Sequence, residues 1–457
     1  MGSIEYWHTM LNSKYAGVLG LTLLGLGTAT RGYGQGLGNS PYSRLGLGET
    51  YFNAGGVRQM GMGGVGSAAP NGVHVNDLNP ALLFYMNRTT WEATAIGQYK
   101  TVSNNLTSQK TGSANLNYLA LAVPLSGRWG AALGIKPYSA VDYESVEVRR
   151  VNNNPALSRE VIQYVGTGEL AEAYLAQSVR VAKGLALGVT ASYIFGSIDQ
   201  STATQVVPDV VTGTDQLDKT VRLEHVSYSD FKFRGGAHYR SKLTDKLNYN
   251  VGATYSLQTK LGGDRTLTLE RQAATGNQIA ESIVLEKGAG SATTPALTQF
   301  GISLDNNKSW SANVDVARQE WSKFKAFNEN GGAAGVALND TWRAAAGGEF
   351  APDPSSVDNY FRRVTYRAGI SVAQLPYQPG GKVLYDRGVS WGFSFPVSAT
   401  ALDATTINMA FTYGQRGNTD TRLLSNGATE RNVKENYIRA QIGVSLNNRW
   451  FIKRRIE

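Results

Sequence analysis

From Thr89 onward the side chains of this chain alternate between apolar and polar with a period of two. Trp91, Ala93, Ala95, Gly97 and Tyr99 interleave with Thr90, Glu92, Thr94, Gln98 and Lys100. Ile438, Ala440, Ile442, Val444 and Leu446 interleave in the same way with Arg439, Gln441, Gly443 and Ser445. A strand sends successive side chains to opposite faces, so each such stretch has one apolar and one polar face. About fourteen stretches of this kind are expected, near 89–102, 113–125, 128–148, 161–181, 185–206, 219–240, 246–262, 295–305, 308–325, 338–350, 362–376, 382–397, 404–415 and 435–447. No run of about 18 apolar residues, the length a spanning helix needs, occurs after residue 35. If the chain crosses a bilayer it must do so as a closed barrel, because lipid offers no other way to satisfy backbone hydrogen bonds.

The connections separate a barrel from a soluble sandwich, which would also alternate. Tight turns are expected at Ser126-Gly127-Arg128, Ala182-Lys183-Gly184, Ser241 to Lys246 and Asn306-Asn307-Lys308. Long polar loops are expected at Asn152 to Glu160, Pro208 to Asp218, Gly263 to Thr294 and Gly417 to Lys434. Short periplasmic turns, long extracellular loops and an even strand count are the pattern of outer-membrane barrels. Trp91, Trp129, Tyr193, Trp310, Trp321, Trp391 and Trp450 fall near segment ends, where amphipathic rings would meet lipid headgroups. The expected fold is therefore an all-β, antiparallel transmembrane barrel over residues 89–457, located in the outer membrane of a Gram-negative cell.

Composition removes several other functions. Charged residues make up 17% of the chain, below the roughly 25% of a soluble domain. Cysteine is absent, which excludes disulfides, thiolate metal sites and a cysteine nucleophile. The net charge of +9 is scattered, with its densest run at Lys453-Arg454-Arg455, so no nucleic-acid partner is expected. The four histidines, His8, His74, His225 and His238, show no metal-ligand spacing. His225 and His238 lie an odd number apart on one strand and should face opposite sides. His238 is expected to be a polar lumen residue rather than a catalytic base. No catalytic residue, metal or cofactor is expected, and the chain reads as a non-enzyme. Residues 1–35, with Lys14 before the apolar stretch Ala16 to Ala29, read as a secretory signal.

Residues 36–88 do not alternate for long, and are rich in Gly, Asn and Pro. About fourteen strands enclose a lumen wider than wall side chains can fill. This segment is therefore expected to form a plug, since irregular backbone at membrane depth must lie inside protein or a wet cavity. Gly61, Gly63 and Gly66 fit the spacing of a dinucleotide loop, but Pro70 and Asn71-Gly72 forbid the helix such a loop needs. Glycine that lets the plug backbone pack closely is the better reading, Gly64 included.

The run Gly61-Met62-Gly63-Gly64-Val65-Gly66-Ser67-Ala68-Ala69, followed by Asn76-Asp77-Leu78 and then Asn79-Pro80-Ala81-Leu82, resembles the hatch of the FadL family of outer-membrane fatty-acid and hydrocarbon transporters. Pro41 to Gly48 resembles the start, and Asn448 to Arg454 the end, of FadL-like proteins from Bacteroidetes. The chain departs from many outer-membrane proteins in its charged tail, Lys453 to Glu457. The resemblance implies passive uptake of small hydrophobic molecules, with lipopolysaccharide and lipid as surroundings. It also leaves an alternative, a PorV-type accessory protein that binds protein partners of type IX secretion. Lumen-facing Glu92, Lys100, Lys136, Lys232, Arg234 and Arg439 are expected to line the pore and pair with the plug, and a cation among them could hold a carboxylate. In the third strand Pro137, with Gly134 below it, should break or kink the wall, because proline gives the ladder no N–H. The resemblance implies that such a kink is a side window for ligand.

Overall fold

The computed structural model describes residues 40–50, 55–150, 158–208, 218–273, 275–327, 338–397, 405–423 and 429–448. The proposed signal, residues 1–35, and Trp450 lie outside them. Among the described residues no helix is long and apolar enough to cross a membrane.

The alternating stretches form one closed antiparallel barrel of 14 strands. They are β1 (Thr89–Ser103), β2 (Ser108–Ser126), β3 (Trp129–Arg150), β4 (Ser158–Ala182), β5 (Leu185–Pro208), β6 (Lys219–Thr244), β7 (Leu247–Ser256 continued by Thr259–Gln272), and β8 (Ile283–Thr294 continued by Leu297–Asp305). After these come β9 (Trp310–Gln319), β10 (Thr341–Phe350), β11 (Thr365–Gln374), β12 (Tyr385–Pro396), β13 (Thr406–Gly417) and β14 (Lys434–Asn448). Each strand pairs with its neighbour in sequence, and β14 closes the ring on β1 from Lys434↔Ser103 to Asn448↔Thr89.

The two faces separate as the alternation requires. In β7, Val251 is 43% exposed while its neighbour Asn250 is fully buried. Exposed large apolar residues such as Leu133, Leu175, Val189, Phe300 and Ile370 cover the outside, which suits a lipid environment. Trp91, Trp129, Tyr193, Trp310 and Trp391 belong to that outer surface. Trp321 does not: it is buried, and its ring lies over Gly46 of the N-terminal segment.

The wall is uneven in height. β3 has 22 residues, β4 25, β5 24 and β6 26. β9, β10 and β11 have 10 each. A spanning strand needs about 9–11 residues, so β3 to β8 rise well beyond the membrane and β9 to β11 barely clear it. The expected long loop Gly263 to Thr294 is part of this rise. Thr259–Gln272 pairs with Ile283–Thr294 on one side and with Lys219 to Tyr228 of β6 on the other, leaving only a short tip. The sequence hides this hairpin because its tip half is exposed on both faces, so no apolar stripe marks it.

Inside the tall half, Val141, Tyr143, Leu170, Ile194, Tyr228 and Leu261 turn inward and form an apolar cluster. Leu47, from the N-terminal segment, and Phe327, from the β9–β10 connection, fill it.

Candidate functional site: the hatch, the strap and an open ladder

Residues 55–88 lie across the lumen against the inner face of the wall. Their one α-helical turn is Val57–Met60. After it the backbone reverses through Gly63 (φ +79°) and Gly64 (φ +74°), conformations that only glycine adopts without strain. Wall glycines receive this backbone. A Cβ on Gly369 would stand 2.1 Å from the carbonyl carbon of Met62, one on Gly347 2.1 Å from its oxygen, and Gly61 meets Gly392 directly. Gly188 and Gly236 play the same part beneath Pro80, Ala81 and Asn79.

Charged side chains from the short strands β9, β10 and β11 pin the first part of the hatch. Arg58 is paired with Glu349 at 2.6 Å, and Glu349 also accepts from Arg367 at 3.1 Å. One Asp315 oxygen accepts the amides of Gly66 and Ser67 at 2.9 and 3.0 Å. Arg343 donates to the carbonyls of Gly63 and Gly64. Sequence alternation places all of these on the polar phase of their strands, but nothing in it says that they meet the hatch.

The second part is held mainly by neutral groups. Asn79 accepts from the Ala81 amide and donates to Ser67 O and Ala237 O. Pro80 and Ala81 open the turn Pro80–Tyr85. His238 is buried beneath it, within hydrogen-bond distance of the Tyr85 hydroxyl and Ala68 O, while His225 sits exposed beside Asp199. Asp77 is paired with Lys136 at 2.6 Å, and its carbonyl accepts from Arg234. Glu92 accepts from Ser445 and Tyr118 and lies 3.2 Å from His74. Lys232 donates to Tyr138.

Residues 40–50 form a strap. The short strand Glu49–Thr50 pairs with Ser139 and Ala140 of β3, and the Ser40 amide donates to Asp142 O. From there the strap reaches the β13–β14 side of the ring. Glu49 pairs with Arg416 at 2.7 Å and Arg439 at 3.4 Å, and Ser40 donates to Glu435. Lys100 is buried, with its ammonium unpartnered. A cavity of about 160 Å³ lies between strap and hatch, bordered by Glu49, Thr50, Met60, Gly63 and Gly64.

The strap lies where the wall is incomplete. β2 and β3 pair only from Ser126↔Trp129 to Leu119↔Ile135. Above Ile135, β3 keeps its partner β4 as far as Arg150↔Arg159, with a bulge between Pro137 and Ser139, but has no ladder to β2. Gly134 is the last position but one of the paired part, facing Ala120. Pro137 borders a cavity of about 80 Å³, together with Lys136, Tyr138, Glu172, Lys232 and Arg234.

A barrel of this strand number, with an internal hatch and an interrupted ladder after β2, can be set beside known proteins. The family described as BamG matches residues 19–457. The chain belongs to the BamG family. Among solved structures, this BamG-family chain is similar to the CymD monoaromatic hydrocarbon channel, with 18% identity over 86% of this chain and 98% of that one at a TM-score of 0.54. It is also similar to the Pseudomonas putida toluene transporter TodX, with 16% identity over 87% and 99% at 0.53. A Pseudomonas aeruginosa FadL homologue aligns with 14% identity over 86% and 97% at 0.54. The fold is thus the FadL-like outer-membrane barrel that the hatch sequence suggested. No curated protein matches the chain.

Proposed function

We propose that this chain is a passive outer-membrane conduit for small hydrophobic molecules, fatty-acid-like or hydrocarbon-like, which leave the lumen sideways into the bilayer. The observation that carries this reading is the ladder between β2 and β3, which stops at Leu119↔Ile135 just before Pro137. A gap in hydrogen bonding at membrane depth is costly unless the wall opens there onto a cavity, and a cavity lies beside Pro137. CymD and TodX, of the same fold, are described as monoaromatic hydrocarbon channels. Lipopolysaccharide presents a polar barrier to such solutes, so a protein path past it has a use. On this reading the Asp77–Lys136 pair links the hatch to the residue just before Pro137.

Replacing Pro137 with Val gives β3 an N–H at the gap and should favour closing the ladder. Uptake of an apolar fluorescent probe by intact cells should then fall several-fold, while the barrel still migrates as a folded species in unheated gels. Unchanged uptake in a folded Pro137→Val protein would overturn the lateral route.

One feature favours a second reading, a PorV-like accessory protein that binds protein partners. The apolar interior is filled by the chain's own Leu47 and Phe327, and buried ion pairs fix the hatch. Such a protein would bring down a polypeptide after cross-linking in cells, and its probe uptake would match that of a strain lacking it.

A further inference from the structure

The cavity between strap and hatch differs in chemistry from the apolar cluster. We propose that it is a binding site for a small hydroxylated monocarboxylate, a sugar acid or hydroxy acid, separate from any apolar route. Gln441, on the inner face of β14, is 1% exposed, and among the described residues neither polar atom of its carboxamide has a partner. It borders the cavity. A buried amide with neither donor nor acceptor used is costly, so its retention at this position points to a ligand that supplies both.

Arg343 faces the same space. Its guanidinium donates to the carbonyls of Gly63 and Gly64, and no carboxylate lies within ion-pair distance of it among the described residues. Asp315, the acid that acts most strongly on it, is committed to the Gly66 and Ser67 amides. The other two cations of the cavity are already matched, Arg416 by Glu49 and Asp386, and Arg439 by Glu49. Arg343 is therefore the group that can take an anion, and its fork suits a carboxylate.

The remaining wall mixes the amide and hydroxyls of Asn117, Ser371, Ser390 and Thr412 with Met60, Ile96, Ala373 and Tyr437 and with the acids Glu49 and Asp386, which Arg416 already pairs. That lining can exchange hydrogen bonds with several hydroxyls. The same carboxylate on an alkyl tail would be the head of an amphiphile. The unused donor and acceptor of Gln441, with hydroxyls around it, favour the hydroxylated acid, and the experiment separates the two.

The test is calorimetric titration of the full chain in detergent micelles with gluconate, hexanoate and glucose. Gluconate should bind saturably, hexanoate at least tenfold more weakly, and glucose, which lacks the charge, not measurably. Gln441→Leu should weaken gluconate binding about tenfold, and Thr412→Val by a smaller factor. Thr412→Val, which disturbs no hatch contact, keeps the test decisive if Gln441→Leu fails to fold. Hexanoate binding as well as gluconate, or no saturable gluconate binding, would overturn the proposal. Because the readout is polar-ligand binding, it stands or falls apart from the uptake of apolar probes in the Pro137→Val experiment.

Discussion

Residues 57–67 and residues 76–85 of the hatch both rest on wall glycines, but buried charge pins the first stretch far more heavily than the second. Arg58 and Arg367 are almost fully buried around Glu349, and Asp315 and Arg343 grip the turn between them. The second stretch has the uncharged caps of Asn79 and a single ion pair to the wall, Asp77–Lys136. Each buried ion stranded without its partner is expensive, so the stretch held by more of them is the harder to move. The first stretch should therefore behave as a fixed base. The second, which lies beside the open ladder and the cavity at Pro137, should be the part able to shift.

The largest effect expected from breaking this contrast is at Glu349. Glu349→Gln leaves Arg58 and Arg367 facing one another without a counter-charge, and should cost about 3–5 kcal/mol of stability. Urea unfolding of the purified barrel measures it. A loss below about 1 kcal/mol would mean that the first stretch is not pinned by charge.

The glycine seat should be the same on both sides. Gly369→Val under Met62 and Gly188→Val under Ala81 each force backbone apart. Each should cost about 1–3 kcal/mol by overpacking. Gly288→Val, with nothing within 4 Å of its Cβ, is the control. Clearly unequal costs for Gly369→Val and Gly188→Val would place the asymmetry in packing rather than in charge.

The smallest change in stability, and the sharpest view of the contrast, comes from Asp77→Asn. Lys136 retains Glu172 at 3.9 Å, so the loss should be well below that at Glu349. Amide hydrogen exchange should quicken over residues 76–85 and stay unchanged over 57–67. Equal quickening in both stretches would show that the hatch moves as one body.

Much of the wall was legible in the residues because strand periodicity is a local property. Each alternating stretch names its own two faces, and an apolar outer face is what lipid demands of every strand regardless of its partners. The stretches near 185–206 and 382–397 needed no knowledge of their neighbours. The hatch was legible for a related reason: a glycine run before Asn79-Pro80-Ala81 breaks the alternation, and local backbone chemistry requires it to do so. Where local signals were weak, the reading failed. The hairpin of β7 and β8, wet on both faces, read as a loop, and Trp321 read as a belt residue although it turns inward over Gly46.

Only the tertiary structure decided which polar-phase residues matter. Asp315 looked like any lumen residue of an alternating strand. What distinguishes it is that Gly66 and Ser67, some 250 positions earlier, present their amides to it. Arg58 and Glu349 are separated by 291 positions. The same holds for the open ladder: Pro137 announced an irregularity, but the pairing of β3 with the strap instead of β2 depends on where residues 40–50 run. Periodicity fixes the face on which a side chain lies. What it meets there depends on ring closure and on the path of the plug, and both are set by contacts between residues far apart in the chain.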